Sequence, residues 1–361
     1  MNKLKDKIRK NAQLLIPVVS IMIIAIINLA VNPAFFSLSL KVNNIGNTVL
    51  SGNIISILDN GSELAILAIG MTLVTAAAGG QDISVGAVIA ISGGVIMRVL
   101  CGNETTPSEL QAPAFIAFLM GCLIAIVFGA FNGVLVAKFR IQPMIATLIL
   151  FTAGRSIGYW IGGGQIAKIS ERSFGYFGGF IPGVPIPTPI LITILCLIIM
   201  GIVLKLTNLG LYTQSVGVNE KAARLNGLNP TMIKFMTFAA MGIFVGIAAF
   251  IKVSRMSTVN YSTIAQDIEM DAILAVAIGG NALGGGKFSL AGSVIGAYTI
   301  QALVVTLYGM PGVTSESIRF FKALVIILLV CISSPIVKDK VSWLLGKAVK
   351  RKTANTQEAV M

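Results

Sequence analysis

Ionisable side chains are scarce inside the long apolar stretches of this chain, so the few found there are the first candidates for chemistry. Glu63, Arg155 and Asp271 lie within or near such stretches. A charge near the centre of a bilayer costs at least ~2.5 kcal/mol and therefore usually faces a cavity or a partner. We expect either that Glu63 or Asp271 pairs with Arg155, or that each lies near an interface and extends its charged end into water.

Catalytic chemistry has little support in the residue types. The sequence has no His, which removes the commonest general base and a common zinc ligand. Its 4 Cys residues are scattered without metal-ligand spacing, and the sequence contains neither a P-loop nor a paired acid and base. We therefore predict that the chain is not an enzyme and has no catalytic residue, metal site or cofactor of its own.

A further polar group lies at the boundary between two apolar stretches. Asp82 follows Gly79 and Gly80 and precedes Ser84 and Gly86. An Asp at the start of a helix can cap it, which is worth about 1 kcal/mol, and the same residue can also form a polar hinge. The two roles are compatible, and we expect Asp82 to cap the third apolar helix.

One polar island, VGVNEKAARLNGLNP at 216–230, separates two long apolar segments. Asn219 is a good N-cap, and Glu220 falls in the first helical turn, where the helix dipole favours negative charge. Glu220 and Arg224 are four residues apart in the favourable order for a surface pair, and Gly227 can end the helix in a left-handed conformation. The pattern predicts a short capped helix, which either docks into a groove of another protein or lies on the lipid surface as an amphipathic connector.

The composition indicates the environment of these elements. Of the 361 residues, 55% are hydrophobic and 11% are charged, whereas soluble domains have about 25% charged residues. We predict an all-α polytopic membrane protein with about ten transmembrane helices. The expected spans are 14–31, 54–78, 83–101, 113–137, 142–162, 189–206, 231–253, 269–283, 287–309 and 319–336.

Lysine and arginine cluster in the two tails, 1–13 and 337–361, and in the island at 216–230. Because positive residues stay on the cytoplasmic side, we expect both termini in the cytoplasm, flanking a transmembrane domain at 14–336. The net charge of +13 is then a topology signal that suits an anionic inner leaflet and requires no nucleic acid. We predict a multi-pass protein of the bacterial cytoplasmic membrane.

Glycine clusters at 79–86 and at 279–286. Small residues let membrane helices approach closely, and glycine permits broken helices. The two clusters align at an offset of 206 residues, since Gly79 then matches Gly285. This alignment leaves open whether the chain contains an internal repeat.

Three stretches of the sequence resemble one family of membrane proteins. They are AILAIGMTLVTAAAGGQDISVGAVIAISG at 65–93, IQPMIATLILFTAG at 141–154 and MDAILAVAIGGNALGGGKFSLAGSVIG at 270–296. With the polar island they resemble the permease subunit of ABC importers for monosaccharides, the ribose/galactose/xylose permease family, in wording closest to galactofuranose-type permeases. The resemblance covers most of the chain. One departure is the sequence GGQDIS at 79–84, where the family more often has GGIDLS.

The resemblance implies a permease that forms the path for a ribose-, galactose- or galactofuranose-like sugar. It implies an ATPase partner that binds ATP and Mg²⁺, a second permease subunit (identical or different), an external sugar-binding protein, and contact with membrane lipid. The polar island becomes a coupling helix, and the matching residues are Asn219, Glu220, Ala222, Ala223, Arg224 and Gly227. The candidates for the path or its gate are Asp82, Ser84, Gly86, Glu63, Arg155, Asp271, Gly279 and Gly280.

Sugar recognition would draw on polar and aromatic side chains within the spans. The candidates are Asn132, Gln142, Thr147, Thr152, Tyr159 and Trp160. The last two lie where an interfacial aromatic belt would be, and we favour that interpretation for them. Two alternatives stay open: an ABC permease for nucleosides or branched-chain amino acids, and a self-sufficient secondary transporter, which has no use for a coupling helix.

Overall fold

A computed structural model of the protein describes residues 2–31, 33–42, 47–107, 109–310, 314, 317–324 and 327. The chain divides into two units, Met1–Thr306 and Leu307–Met361. In the second unit residues 317–324 are helical, and the Thr314 hydroxyl accepts a hydrogen bond from the Ser317 N–H at 3.3 Å where this helix begins. The predicted tail at 337–361 lies outside the described residues.

Helices make up most of the described chain. In order they are α1 (Asn2–Val31), α2 (Asn53–Ala78), α3 (Val85–Cys101), α4 (Ala114–Ala137), α5 (Pro143–Ile161), α6 (Thr188–Leu206), α7 (Leu209–Val218), α8 (Glu220–Leu225), α9 (Pro230–Met256), α10 (Ile268–Ile278) and α11 (Leu290–Tyr308). Two 3₁₀ turns, Pro33–Phe36 and Phe174–Tyr176, connect them. A small antiparallel hairpin pairs β1 (Ser39–Val42) with β2 (Thr48–Ser51), with Ser39 opposite Ser51.

The helical membrane architecture is confirmed, but the count of about ten spans is not reached among the described residues. Six helices, α2, α4, α5, α6, α9 and α11, are long and apolar enough to cross a bilayer, while Pro17–Ala30 of α1 and all of α3 are shorter apolar helices. The expected eighth span, 269–283, forms only α10, which at 1.5 Å per residue is roughly 16 Å long. The expected tenth span, 319–336, lies mostly outside the described residues.

Helix α2 is the centre of the first unit, and every residue from Gly61 to Ala77 is buried. Helix α9 packs along both α2 and α4, and glycines make this close approach possible. A Cβ at Gly242 of α9 would lie 2.5 Å from the carbonyl oxygen of Ala125 on α4. Helix α9 therefore packs against both α2 and α4, and α7 and α8 contact it as well.

Candidate functional site

The predicted helix in the polar island is present as α8. The Asn219 side chain accepts a hydrogen bond from the Ala222 N–H at 3.0 Å and so caps the first turn. At the other end Leu228 N–H donates to the Ala223 carbonyl at 3.1 Å, and Gly227 N–H donates to the Arg224 carbonyl at 3.0 Å. This Schellman arrangement needs a left-handed residue, and Gly227 has φ +82°. Local capping thus holds α8 as a rigid turn.

Glu220 attaches α8 to the long helix α9. Its Oε2 lies 2.8 Å from the Lys234 ammonium on α9, and its Oε1 lies 3.7 Å from Arg224. The hydrogen bond from Lys234 is the main cause that holds the pKa of the Glu220 carboxyl below its usual value. The pair with Arg224 was expected from spacing, whereas Lys234 was missed because it is fourteen residues away in sequence. Only the packing of α8 on α9 brings it close.

The exposed face of α8 does not include Ala223, one of the residues that match the coupling-helix pattern. Ala223 is buried, with 4% of its surface exposed, so its small side chain serves packing within this chain and cannot line an outer docking face. Ala222 and Arg224 are exposed instead, and Leu225 is 89% exposed. A large apolar side chain that projects from a rigid turn suits insertion into a groove of a partner.

A cleft of about 880 Å³ opens beside α8. Its walls include the link between α4 and α5 and the end of α2, and its cationic side chains are Arg140, Lys221, Arg224 and Lys234. Glu220 is the carboxylate in this lining, and it is already paired. Arg140 also has a left-handed backbone with φ +56°, which is unusual for a residue with a Cβ. The cleft is therefore positively charged and suits an acidic surface.

Gly217, near the end of α7 and just before α8, packs against the glycine clusters. The sequence analysis did not identify this residue. A Cβ at Gly217 would overlap the carbonyl oxygen of Ala76 on α2 and would lie 2.6 Å from the Gly286 nitrogen. Gly286 N–H in turn donates to the Ala76 carbonyl at 3.0 Å. A Cβ at Gly79 would lie 2.9 Å from the Gly284 carbonyl oxygen. The two glycine clusters therefore pack against each other, with the root of α8 beside them.

Gly279 and Gly280, two of the gate candidates, lie where α10 ends. A Cβ at Gly279 would lie 2.5 Å from the backbone nitrogen of Ser293, so α10 and α11 meet backbone to backbone there. Asn281 then donates to the Ser293 hydroxyl at 2.8 Å. These glycines permit a close helix crossing next to the Gly284–Gly286 segment.

Glu63 does not pair with Arg155, and this part of the sequence prediction is wrong. Glu63 lies 2.9 Å from the Lys252 ammonium, and its Oε1 lies 3.2 Å from Arg255 Nε in an ion pair without hydrogen-bond alignment. Arg255 also contacts Asp59 at 3.0 Å. The cause is the α2–α9 packing, which places Lys252 and Arg255, three apart on α9, opposite the acidic side of α2. Glu63 thus joins two helices in an ion cluster.

Arg155 on α5 instead supports a loop. Its Nη1 donates to the backbone carbonyls of Tyr261, Ser262 and Ile264 at 3.1, 3.3 and 2.8 Å. These carbonyls belong to the segment between α9 and α10. Asp271 lies in the first turn of α10, and its pairing with Arg155 stays a prediction.

Asp82 is buried, and it lies two residues before the N-cap position that we predicted for it. Helix α3 begins at Val85 with Ser84 as its N-cap, so Asp82 is not the cap. Its Oδ1 accepts from the Ser84 N–H at 2.8 Å and from the Ser84 hydroxyl at 2.6 Å. The arrangement is an Asx turn that sets the entry into α3.

Two of the sugar candidates, on α4 and α5, hydrogen-bond to this buried turn. Asn132 donates to the Ser84 hydroxyl at 2.9 Å, and Thr147 accepts from the Ile83 N–H at 3.1 Å. Both side chains are buried and serve packing between helices. Gln142, Thr152, Tyr159 and Trp160 are exposed along α5 or at its start. Gly86 is the second residue of α3, where a Cβ would overlap the Glu269 carboxylate.

Comparison with known proteins gives a consistent result over most of the chain. Residues 53–333 match the family described as the permease component of branched-chain amino acid transport systems. The chain is 34% identical to the galactofuranose transporter permease protein of Escherichia coli K12 over 317 residues, 88% of each chain.

Two further relatives are similar to the same extent. The fructose import permease protein of Bifidobacterium longum is 33% identical over 347 residues, which are 95% of this chain and 92% of that protein. The ribose import permease protein of Escherichia coli K12 is 33% identical over 318 residues, 87% of this chain and 91% of that protein. No solved structure matches the chain.

Proposed function

Because the chain belongs to the family of permease components of branched-chain amino acid transport systems, we propose that it is the membrane-spanning subunit of an ATP-driven importer for a monosaccharide. The family description alone would suit an amino-acid cargo equally well. The relatives that share about a third of the sequence over most of its length are named for galactofuranose, fructose and ribose, which favours a sugar.

The observation that carries the coupling role is the construction of α8. Helix α8 is capped at both ends, and Glu220 joins it to α9 through an ion pair with Lys234. Its exposed Leu225 offers a partner protein an apolar contact through which movement of that partner can displace α8. In this proposal a separate ATPase binds ATP and Mg²⁺, and closure of the ATPase displaces α8. Lys234 passes the displacement to α9, and Gly217 passes it to the end of α2.

The remaining partners follow from the same proposal. A second permease copy or a similar subunit completes the path across the membrane, and an external binding protein delivers the sugar. The basic tails and the cleft beside α8 lie on the cytoplasmic side, where positive residues are retained. The chain itself binds no cofactor. A self-sufficient secondary transporter offers no role for an exposed Leu225 on a capped cytoplasmic turn.

The test uses one pair of matched substitutions in cells that express the complete importer. Leu225→Glu places a charge where we expect an apolar groove, and Leu206→Glu places the same charge on α6 at a side chain that is 79% exposed. We expect Leu225→Glu to abolish uptake and co-purification of the ATPase at unchanged membrane abundance, and Leu206→Glu to retain both. Equal behaviour of the two variants would overturn the coupling role.

The cargo is tested separately with labelled ribose, fructose, galactose and leucine. Uptake of a sugar but not of leucine is the expected result. Uptake of leucine alone would replace the sugar proposal with an amino-acid permease, and uptake by the chain without any ATPase would overturn the importer proposal.

A further inference from the structure

A second cleft, of about 270 Å³, lies at the other end of α5. It is formed by the C-terminal part of α5 and the loop between α9 and α10, and its lining includes Arg155, Ser156, Tyr159, Asn260, Tyr261 and Ser262. The cleft beside α8 contacts Pro143 at the start of the same helix. Sixteen helical residues separate Pro143 from Tyr159, which is roughly 24 Å along the axis. The two clefts therefore open toward opposite faces of the membrane.

The lining of this second cleft combines aromatic rings with small hydrogen-bonding groups. The rings of Tyr159 and Tyr261 meet edge to face, with centroids 5.7 Å apart and planes at 73°. Tyr159 lines the cleft and is about half exposed, so part of its ring is accessible. Monosaccharides present an apolar face of C–H groups and a rim of hydroxyls. A ring face bordered by hydroxyl and amide groups is complementary to both.

Hydrogen bonds to α5, to the segment after α5 and within the loop itself hold the loop that carries these groups in place. Arg155 bonds the carbonyls of Tyr261, Ser262 and Ile264, and Asn260 Oδ1 accepts from the Ser262 N–H at 3.1 Å. The Thr258 hydroxyl donates to the Ala167 carbonyl at 2.8 Å. The side-chain oxygen of Asn260 is used inside the loop, which leaves its Nδ2 amide as the group offered to a ligand.

The backbone of the same loop is strained. Ala265 and Asp267 both have left-handed backbones, with φ +50° and +64°, although each carries a Cβ. Such conformations persist only where the surroundings impose them, and they concentrate at functional sites. Among the described residues, only Arg140 and Ser257 share this feature, and Arg140 borders the cleft beside α8.

We propose that this second cleft is a contact site for the transported monosaccharide at the outer mouth of the path. The sugar ring stacks on Tyr159, and the Asn260 amide and the Ser262 hydroxyl bond its hydroxyls. Arg155 acts as a positioning residue, because its Nη1 is committed to three backbone carbonyls. The inference rests on the proposed function of sugar import.

The experiment uses the complete importer in proteoliposomes, with labelled ribose, fructose and galactose as probes. Ser262→Ala removes one hydroxyl and keeps the carbonyl that holds Arg155. Asn260→Asp keeps the oxygen used in the loop and removes the amide donor. Tyr159→Ala removes the ring, while Tyr159→Phe keeps it. Phe115→Ala is the matched control, since Phe115 is an aromatic side chain at the start of α4, is 66% exposed and is not part of the lining.

We expect Ser262→Ala and Asn260→Asp each to lower sugar uptake about fivefold, the effect of one hydrogen bond, and to change the ratio of uptake among the three sugars. Tyr159→Ala should lower uptake further because it removes the ring, whereas Tyr159→Phe keeps the ring and should take up sugar at nearly the wild-type rate. ATP hydrolysis stimulated by the binding protein should stay within about twofold of wild type in all of them, since this end of α5 is far from α8.

The outcomes separate the site from the function. Wild-type uptake with unchanged rates and sugar ratios in the Tyr159, Asn260 and Ser262 variants overturns the contact site and leaves the importer intact. Loss of uptake together with loss of stimulated ATP hydrolysis also overturns it, because the residues would then be structural. A wild-type importer that takes up none of the sugars overturns the proposed function and the site together.

Discussion

The contact at Gly217 makes a sharp prediction about how α8 is anchored. The Cβ of Gly217→Ala would overlap the Ala76 carbonyl oxygen and approach the Gly286 nitrogen to 2.6 Å. Both neighbours are backbone atoms in buried or closely packed segments, so neither can rotate away. Overpacking of this kind costs about 1–3 kcal/mol, and the gain of about 1 kcal/mol from replacing Gly by Ala in a helix offsets part of it.

A matched control lies on the same helix. A Cβ at Gly210 would meet the nearest side-chain atoms, of Leu204 and Phe288, at 3.4 and 3.6 Å, which is ordinary contact. Gly210→Ala should therefore be neutral or slightly stabilising. The assay is thermal unfolding of the purified protein in one detergent, where on the order of 2 °C corresponds to 1 kcal/mol for a large domain. Gly217→Ala should melt several degrees below Gly210→Ala.

The variants Gly217→Ala and Gly210→Ala also test whether movement of α8 is transmitted to α2. If Gly217 carries motion from α8 to α2, Gly217→Ala should reduce transport per ATP hydrolysed, whereas Gly210→Ala should not. Equal melting temperatures for the two variants would refute the packing argument. Equal melting combined with equal transport would remove Gly217 from the coupling route altogether.

Three further predictions concern charges and the buried turn. The pKa of Glu220 is lowered in the folded protein, so the carboxylate stabilises the fold above pH 4.5, its usual pKa, and this stabilisation is lost as the pH falls through the lower folded value. The melting temperature of Glu220→Gln should therefore vary less than that of wild type over this acid range. The difference should stay within about 1 kcal/mol because the pair with Lys234 is partly exposed. Glu63→Gln should destabilise by about 1–3 kcal/mol in thermal unfolding because it leaves the half-buried cations Lys252 and Arg255 under-compensated, while the loop variant Glu104→Gln should be neutral. Asp82→Asn keeps an acceptor for Ser84 and should unfold at nearly the wild-type temperature, whereas Asp82→Ala should cost about 1–3 kcal/mol more; equal effects would contradict the Asx turn.

Local signals made α8 predictable from the sequence. Asn219, Glu220 and Gly227 encode a cap, a first-turn charge and a left-handed end within nine residues, and none of these depends on the rest of the fold. The face of α8 was not predictable. With two alanines side by side in a helix of 6 residues, only the packing of α9 decides that Ala223 turns inward and Ala222 outward.

The ion pairs show why contacts between distant segments escaped the sequence. Glu63, Arg155 and Asp271 were the conspicuous charges inside apolar stretches, so pairing among them was the natural hypothesis. The partners of Glu63, Lys252 and Arg255, lie at the end of α9, and no local pattern in the sequence relates that end to the middle of α2. The glycine clusters, by contrast, correctly marked a place of close approach, and whether they also record an internal repeat stays a hypothesis.

The charge of the cleft beside α8 has a kinetic consequence. Its four cations and one paired carboxylate create a positive field that reaches beyond van der Waals contact. The field extends about 30 Å at 0.01 M salt but only about 8 Å at 0.15 M. An acidic partner would therefore associate faster in dilute buffer, while the Leu225 insertion would govern how slowly it leaves. Substitution of Arg140 or Lys221 should then change the association rate, and substitution of Leu225 the lifetime of the complex.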